Sequence, residues 1–540
     1  MPFTNQLRQE FVMSAPASPP QTPAPQPTGA ETLVATLVNA GVEVCFANPG
    51  TSEMHFVSAL DRVDGMRPVL CLFEGVASGA ADGYARMAGK PACTLLHLGP
   101  GFGNAMANLH NARKAGSPLV NIVGDHATYH QRYDAPLTAD VEDFARPVSH
   151  WVHSSRSPRT VAGDAALAVQ AARRAPGRIA TLILPADTAW LPAERPAQAL
   201  PVPPPAPVSG SAIDAAARAL SGGGRTAILL RGSVLHGPGL RAAGRIAAKT
   251  GARLLCDTFT PRLTSGAGAP PVTWLPYRGP AILDLLREFD HLILAGAEPP
   301  VSFFAYPGQE SWLTPPQCAI LTLALPHEDG AAALLALAEA LHAPQEPAAA
   351  QYEPPALPPD GPLTAETVVR IAAARLPEQA VVIDEAPTST LPYNNLFATA
   401  APHDHLSLTG GAIGSGLPLS TGAAVGAPGR KVVCLEGDGS AMYTVQALWT
   451  QARERLDVVT VIFANRAYAV LNRELDLLHA AGTGERSRSL LDLHGPSLDW
   501  VHLSEGLGVP ATRVQTAQAF ADAYDAALRA SGPRLIEAVI

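Results

Sequence analysis

The order of hydrophobic and polar positions along the chain predicts a regular alternation of strands and helices. Short apolar runs are separated by longer stretches, rich in small residues, that have room for a helix. This alternation is typical of open α/β sheets whose parallel strands are joined by right-handed crossovers. We therefore predict an α/β fold with three open parallel sheets. The predicted strands fall into three groups, at 42–47, 68–73, 92–98, 119–123 and 179–184, at 226–230, 253–255, 291–294 and 319–323, and at 380–383, 431–435, 458–463 and 535–540.

Proline-rich segments divide the chain between these groups. The 52 prolines are about twice the ordinary share of ~5%. Residues 1–29 include a proline-rich cluster and are predicted to form a disordered tail. They contain no apolar core of a secretory signal. Segments 191–208 and 343–362 are predicted to be extended linkers. The predicted domains are 30–190, 209–342 and 363–540.

Composition and charge narrow the class of protein. Hydrophobic residues make up 47% of the chain and charged residues 16%, which is enough material for large buried cores. The formal net charge of −9 argues against nucleic acid as a partner. No purely apolar window is long enough to suggest a membrane span. Six scattered cysteines without a CxxC pair are expected to be reduced and buried, as in cytoplasmic proteins.

Three polar residues follow predicted strands of the first domain at equal intervals. Thr51 follows FANPG, Glu74 follows VLCLF, and His97 lies in TLLHLGPGFGN. Each interval fits one strand and one helix, so we expect all three at the carboxyl edge of the sheet, where ligands bind in open α/β folds. Structural interpretations stay open: a helix cap for Thr51, an acid stabilised by a helix start for Glu74, and a hydrogen-bonded core residue for His97.

The segment Gly99 to Asn104, GPGFGN, has the spacing GxGxG and not the GxGxxG of dinucleotide loops. We interpret it as a place where the backbone approaches a ligand or a neighbouring subunit closely. A nicotinamide- or flavin-dependent oxidoreductase would need a true GxGxxG turn followed by an acidic residue. The sequence contains no such pair, which disfavours that class of enzyme.

The third domain contains the pattern of a metal and phosphate site. The apolar run KVVCLEG ends at Asp438, and Asn465 follows the next apolar run, one βαβ crossover later. A carboxylate and an amide oxygen on adjacent strand ends suit Mg²⁺, and the carbonyl of Ala467 is within reach. An ordinary turn with an unrelated asparagine is the alternative. Gly437 and Gly439 allow close backbone approach in the same turn, and the amides of Gly439 and Ser440 can cradle phosphate.

Taken together, these motifs resemble the thiamine-diphosphate-dependent family of 2-oxo acid decarboxylases and acetolactate synthases, over about residues 30–540. FANPGT, TLLHLGPGFGN and GDGSAMYTVQALWTQA look most like benzoylformate decarboxylase. The resemblance implies pyrimidine-binding, central and diphosphate-binding domains in that order. It implies decarboxylation of a 2-oxo acid through an enamine, with release of an aldehyde. The alternatives are an acetolactate-synthase-like carboligase, which joins the enamine to a second 2-oxo acid or aldehyde, and a non-catalytic homologue that binds the cofactor.

The resemblance also assigns roles to individual residues. Asp438, Asn465 and the Ala467 carbonyl are the implied Mg²⁺ ligands. Glu74 is the implied activator of the aminopyrimidine ring, and His97 the implied catalytic histidine. Thr51 takes the place of an active-site serine. Further contacts with thiamine diphosphate are implied for Gly411, Ile413 (the wedge under the thiazolium ring), Gly437, Gly439, Ser440 and Tyr468.

The resemblance further implies a homodimer or homotetramer whose active sites lie between subunits. It leaves open whether the central domain binds FAD, as in some relatives. Residues 273–278 contain no histidine, whereas decarboxylases of this type bring a second histidine from that domain. The side chains expected to line a substrate pocket are Phe102, Tyr443, Tyr468, Val470 and Leu471.

Overall fold

A computed structural model describes residues 26–477 and 484–540 and confirms the predicted α/β fold with three mostly parallel sheets. Most strands are buried apolar runs, as expected for parallel sheets covered by helices on both faces. The tail predicted for residues 1–29 lies mainly outside the described residues. All six cysteines lie within them, buried and without a disulfide. None of the described helices is long and apolar enough to cross a membrane.

The first sheet has six parallel strands in the order β2-β1-β3-β4-β6-β5. Its strands are β1 (Val44–Asn48), β2 (Arg67–Leu70), β3 (Ala92–Leu96), β4 (Leu119–Asp125), β5 (Trp151–Ser154) and β6 (Ile179–Pro185). The helices of this region are α1 (Gly29–Asn39), α2 (Met54–Leu60), α3 (Glu74–Ala88), α4 (Leu98–Ala115), α5 (Val141–Ala145), α6 (Val161–Ala172) and α7 (Ala186–Trp190).

The second sheet has five parallel strands in the order β10-β8-β7-β11-β12. The strands of this part of the chain are β7 (Thr226–Leu230), β8 (Arg253–Cys256), β9 (Leu263–Ser265), β10 (Thr273–Trp274), β11 (His291–Ala295) and β12 (Ala319–Ala324). The helices are α8 (Gly210–Ser221), α9 (Gly237–Thr250), α10 (Gly279–Leu286) and α11 (Gly330–Ala340). Strand β9 lies between β8 and β10 in the chain but pairs with β14 of the third sheet.

The third sheet has seven strands in the order β17-β18-β16-β15-β13-β14-β9, with only β9 antiparallel. The remaining strands are β13 (Ala380–Glu385), β14 (His403–Ser407), β15 (Val432–Gly437), β16 (Val458–Ala464), β17 (Ala511–Val514) and β18 (Arg534–Val539). The helices are α12 (Ala365–Ala374), α13 (Pro387–Thr390), α14 (Gly416–Gly426), α15 (Asp438–Ala441), α16 (Ala447–Glu454), α17 (Ala469–Leu477), α18 (Glu485–Ser489), α19 (Trp500–Gly506) and α20 (Ala517–Arg529).

Five strands were not predicted by the hydrophobic pattern: β5, β9, β10, β14 and β17. They are short, and each lies at or next to the edge of its sheet. Strand β14 has the polar sequence HDHLS, yet it is buried. Its Asp404 accepts hydrogen bonds from Arg262 at 3.0 Å and from Arg430 at 2.7 Å. Polar strands of this kind depend on partners that are distant in sequence.

Helices α3 and α14 bring the first and third regions into backbone contact. A Cβ atom added to Gly422 would lie 1.7 Å from the carbonyl oxygen of Ala80, and one added to Gly83 would lie 2.1 Å from a carbonyl oxygen of α14. No larger residue fits at either glycine without moving the helices apart. Because α3 begins at Glu74 and α14 begins at Gly416, this contact fixes the two helix starts relative to each other.

Two buried carboxyl groups lie side by side behind the loop that leads into α14. Glu385 on β13 and Glu436 on β15 are register partners, each at most 1% exposed. Glu385 accepts hydrogen bonds from the backbone amides of Gly414, at 2.7 Å, and Gly416. Burial raises the pKa of Glu385 to about 7, and burial together with the Glu385 carboxyl raises the pKa of Glu436. The pair therefore favours a state in which at least one of the two carboxyl groups is protonated.

Replacement of Glu436 by Gln should flatten the pH dependence of stability. The raised pKa values mean that the folded protein binds protons more tightly than the unfolded chain, whose glutamates titrate near ~4.3. The pair's stabilising contribution is complete below that pH and is lost as pH rises through the folded pKa. When the pH is raised from 5 to 8, the free energy of unfolding of the wild type should fall by about 1–3 kcal/mol more than that of the variant, as measured by thermal unfolding.

The exposed Glu346→Gln replacement serves as the matched control and should behave like the wild type. An identical pH dependence in the wild type and Glu436→Gln would contradict a proton held by this pair.

Candidate active site

The carboxyl edge of the first sheet carries the three polar residues that the sequence singled out. Strands β2, β1 and β3 are neighbours in the sheet. Glu74 begins α3 after β2, Thr51 begins a short 3₁₀ helix after β1, and His97 follows β3 directly before α4. The structure therefore places all three residues at the same sheet edge.

Glu74 is a buried carboxylate with one direct hydrogen-bond donor. Its side chain accepts a hydrogen bond from Asn104 Nδ2 to Oε2, at 3.0 Å, and the residue is 7% exposed. A Cβ atom added to Gly101 would lie 2.8 Å from Glu74 Oε1 and 3.2 Å from the Cβ of His97. Gly101 therefore makes the space in which the two functional side chains lie. The GPGFGN segment forms the start of helix α4 and not a dinucleotide loop.

Glu53 is a residue of this site that the sequence analysis missed. Its buried carboxylate lies 2.8 Å from His97 Nδ1 and also accepts the amide of Gly50 at 2.7 Å. This contact orients the imidazole and favours a proton on Nδ1. Nε2 is then the ring nitrogen that can accept a proton or a hydrogen bond. Thr51 is exposed, and the hydroxyl beside His97 belongs to Ser52, whose Oγ is 3.4 Å from Nδ1. The only sign of Glu53 in the sequence is that an acidic residue stands two positions after Thr51, in the same turn.

Asp438 and Asn465 lie at adjacent strand ends of the third sheet. Strands β15 and β16 pair in parallel, and the two residues directly follow them. Asp438 accepts the backbone amides of Gly439, at 2.9 Å, and Arg466, at 2.6 Å. The amide oxygen of Asn465 accepts the backbone amide of Ala467 at 3.0 Å. The predicted metal ligands therefore come together at two adjacent strand ends.

The oxygen ligands at these two strand ends fit Mg²⁺. In residues 26–477 and 484–540, no three His, Cys, Asp or Glu side chains are grouped to hold a metal ion. Mg²⁺ does not need such a cage, because it takes one or two protein oxygens and completes its shell with water and phosphate. Burial raises the pKa of Asp438, and a bound cation would favour its charged form.

A cavity of about 820 Å³ opens above these two strand ends. Residues of the second-sheet region form its opposite wall. Within one chain, none of residues 30–190 lines it, so Thr51, Glu74 and His97 lie outside it. Every residue predicted to bind the cofactor, apart from Glu74, lines the cavity: Gly411, Ile413, Gly437, Asp438, Gly439, Ser440, Asn465, Ala467 and Tyr468.

Helix α4 of the first region holds the turn that carries Ile413. Asn111 donates to the carbonyl of Ala412 at 2.8 Å and accepts its amide at 3.2 Å. Asn108 donates to the carbonyl of Gly414 at 3.2 Å and to the start of α3 at 2.8 Å. These two asparagines, which the sequence analysis also missed, join the Ile413 turn to the helix that begins at Glu74.

Three of the five side chains expected to line a substrate pocket line this cavity. Tyr468, Val470 and Leu471 line the cavity. Phe102 does not, because its side chain is fully buried in the core of the first region. Tyr443, whose side chain is 55% exposed, is not among the residues that line it either. No histidine lies among the lining residues that the structure describes, which include Tyr277 and Arg278 of the second region.

Comparisons with known proteins agree with this geometry. Residues 27–146 match the N-terminal TPP binding domain of thiamine pyrophosphate enzymes, and residues 390–538 match their C-terminal TPP binding domain. The chain is 51% identical to a Mycobacterium tuberculosis protein named "Putative acetolactate synthase large subunit", over 95% of this chain and 99% of that protein. It is 29% identical to benzoylformate decarboxylase of Pseudomonas aeruginosa, over 92% and 96% of the two chains.

A solved structure is similar over the same length. The thiamine diphosphate-dependent 4-hydroxybenzoylformate decarboxylase of Rhodococcus jostii RHA1 superposes with a TM-score of 0.82 at 25% identity. The match covers 95% of this chain and 98% of that one. The chain therefore belongs to the family of thiamine-pyrophosphate-dependent enzymes that includes the acetolactate synthases and the benzoylformate decarboxylases.

Proposed function

We propose that the protein uses thiamine diphosphate and Mg²⁺ to decarboxylate a 2-oxo acid and release an aldehyde. The observation that carries this proposal is that Asp438, Asn465 and Ile413 line one and the same cavity. A carboxylate and an amide at adjacent strand ends suit a cation that bridges to a diphosphate. The glycine-rich turn around Ile413 suits a ring laid against it.

Asp438, Asn465 and the carbonyl of Ala467 would hold the Mg²⁺ ion, and Ile413 would support the cofactor's central ring. When bound, thiamine diphosphate supplies a carbon nucleophile for the 2-oxo group and a sink for the electrons left by carbon dioxide. The chain's own task is to orient these groups and to exclude water from them. The apolar side chains around the cavity serve the second purpose.

Glu74 and His97 would manage protons. Glu74 Oε1 has no hydrogen-bond donor among the described residues, so it can hold or release a proton toward a ring nitrogen of the aminopyrimidine. Glu53 fixes His97 Nδ1, and the free Nε2 can move a proton to the product. Thr51, exposed at the same edge, would hydrogen-bond the substrate.

We propose that each active site is shared between two chains of a homodimer or homotetramer. Glu74 and His97 do not line the cavity of their own chain. In that chain, α4 supports the Ile413 turn through Asn108 and Asn111. A second copy would supply the missing glutamate and histidine.

Carboligation is the second candidate outcome. The relative that shares 51% identity bears an acetolactate synthase name, and no histidine of the second-sheet region is among the described residues that line the cavity. Incubation of the purified protein with thiamine diphosphate, Mg²⁺ and a panel of 2-oxo acids separates the two outcomes. Aldehyde products support decarboxylation, hydroxyketones or acetohydroxy acids support carboligation, and no carbon dioxide release from any of them contradicts both.

Asp438→Ala should lose the Mg²⁺-dependent binding of thiamine diphosphate. The change removes the only carboxylate of the proposed metal site, so affinity should fall by about two orders of magnitude or more. Calorimetric titration with and without Mg²⁺ measures the effect. Asp214→Ala, on the exposed side of α8, is the control and should bind normally. Normal Mg²⁺-dependent binding by Asp438→Ala would refute the metal assignment.

Glu74→Gln should abolish turnover and leave the cofactor bound. The amide cannot exchange a proton with the aminopyrimidine, so carbon dioxide release should fall by about 100-fold or more, while the affinity for thiamine diphosphate changes little. Glu43→Gln, which removes an exposed carboxylate of the same region, should retain activity. Unchanged turnover in Glu74→Gln would remove this residue from the mechanism.

A further inference from the structure

Two arginines from different regions line the cavity without an ion-pair partner among the described residues. Arg278 belongs to the second region and Arg473 to α17 of the third, and both are exposed. A third lining arginine, Arg253, differs from them because it is paired with Glu288 at 3.4 Å. Unpaired guanidinium groups on the wall of a concave site attract anions.

A hydrogen bond brings these two arginines to the same end of the cavity. Tyr306 Oη, in the connection between β11 and β12, donates to Glu474 Oε2 at 2.9 Å. Glu474 follows Arg473 on α17, and it lines a small recess beside the cavity together with Arg278 and Tyr306. This end of the cavity therefore carries two guanidinium groups and one carboxylate, which leaves one positive charge uncompensated.

The start of helix α10 adds to the positive character of this end. Arg278 directly precedes Gly279, the first residue of α10. The first amides of a helix have no partner within the helix, and the helix dipole is positive there. An anion beside Arg278 would therefore meet both a charged side chain and a favourable helix end.

The remaining lining carboxylates are committed elsewhere. Glu385 accepts the amides of Gly414 and Gly416 beneath the Ile413 turn, and Asp438 belongs to the proposed metal site. No other Asp or Glu is among the described residues that line the cavity. The positive charge at the α10 end is therefore available to a ligand.

A carboxylate that leaves as carbon dioxide is a poor partner for these arginines. Its negative charge is lost as its bond to C2 breaks, so a guanidinium bound to it stabilises the substrate more than the transition state and slows the step. An anionic group that keeps its charge throughout the reaction has no such penalty. The two arginines therefore suit a second carboxylate, at the far end of the substrate.

We propose that Arg278 and Arg473 bind the distal carboxylate of the substrate, which is then a 2-oxo diacid. This inference rests on the proposed function and deepens it by naming the substrate class and the residues that select it. With 2-oxoglutarate, the bond between C1 and C2 breaks, the electron pair stays with C2, carbon dioxide leaves, and a proton from the solvent takes its place. The product, 4-oxobutanoate, keeps the distal carboxylate.

The test compares 2-oxoglutarate and 2-oxoadipate with 5-methyl-2-oxohexanoate, in which an isopropyl group replaces the distal carboxylate of 2-oxoglutarate. The wild type should prefer at least one of the diacids in kcat/KM by about 10-fold or more. The double variant Arg278→Gln, Arg473→Gln should lose about 10-fold to 100-fold of that preference. Replacement of both arginines by lysine keeps the charge and should retain part of it. Arg241→Gln, which changes an exposed arginine outside the cavity, is the control and should behave like the wild type.

Binding of glutarate, which has both carboxylates but no 2-oxo group, gives a readout that is independent of turnover. On protein loaded with thiamine diphosphate and Mg²⁺, calorimetry should show that the wild type binds glutarate about 10-fold more tightly than pentanoate. The double variant should bind the two acids equally. Its affinity for thiamine diphosphate should stay within about threefold of the wild type, because the proposed diphosphate site lies at the third-sheet strand ends.

The outcomes separate this inference from the proposed function. A wild type that releases carbon dioxide from 2-oxo acids but prefers neither diacid, or a double variant with unchanged preference, overturns the assignment and leaves the proposed function standing. A double variant that loses affinity for thiamine diphosphate without a change in preference assigns the arginines to the cofactor and likewise overturns it. A protein that binds thiamine diphosphate but releases carbon dioxide from no 2-oxo acid overturns the proposed function, and this inference with it.

Discussion

The backbone contact between α3 and α14 is the constraint on which the arrangement of the site depends. Both helices begin at functional positions: α3 begins at Glu74, and α14 begins just after the Ile413 turn. Gly83 and Gly422 allow the two backbones to touch, so one helix start cannot move without the other. A single chain therefore carries two groups of predicted site residues in a fixed relation, one at the edge of the first sheet and one at the edge of the third.

This fixed relation gives a physical reason for the proposed shared active site. Bringing Glu74 into the cavity of its own chain would require α3 and α14 to separate and would break the hydrogen bonds of Asn108 and Asn111 to the Ile413 turn. A second copy supplies the same glutamate without that disruption. The carboxyl pair of Glu385 and Glu436 supports the same turn from the other side, so the turn is held by two regions before any ligand binds.

The sequence alone predicted the elements that depend on local pattern and missed those that depend on distant partners. Apolar strands and the adjacency of Asp438 and Asn465 follow from periodicity and from the length of one crossover. The polar strand β14 was not predicted, because its Asp404 forms ion pairs with Arg262 and Arg430, which lie elsewhere in the chain. Glu53 was missed because its partner, His97, lies 44 residues away in the chain. Phe102 was wrongly placed in the pocket, because hydrophobicity does not separate a core residue from a cavity residue.

Mixing two inactive variants tests the shared site most directly. Glu74→Gln and Asp438→Ala, co-expressed with different affinity tags, form mixed dimers in which one of the two sites has both intact residues. With random pairing, carbon dioxide release from a 2-oxo acid should return to about a quarter of the wild-type rate, and each variant alone should stay inactive. Mixed dimers that form but stay inactive would contradict an active site built from two chains.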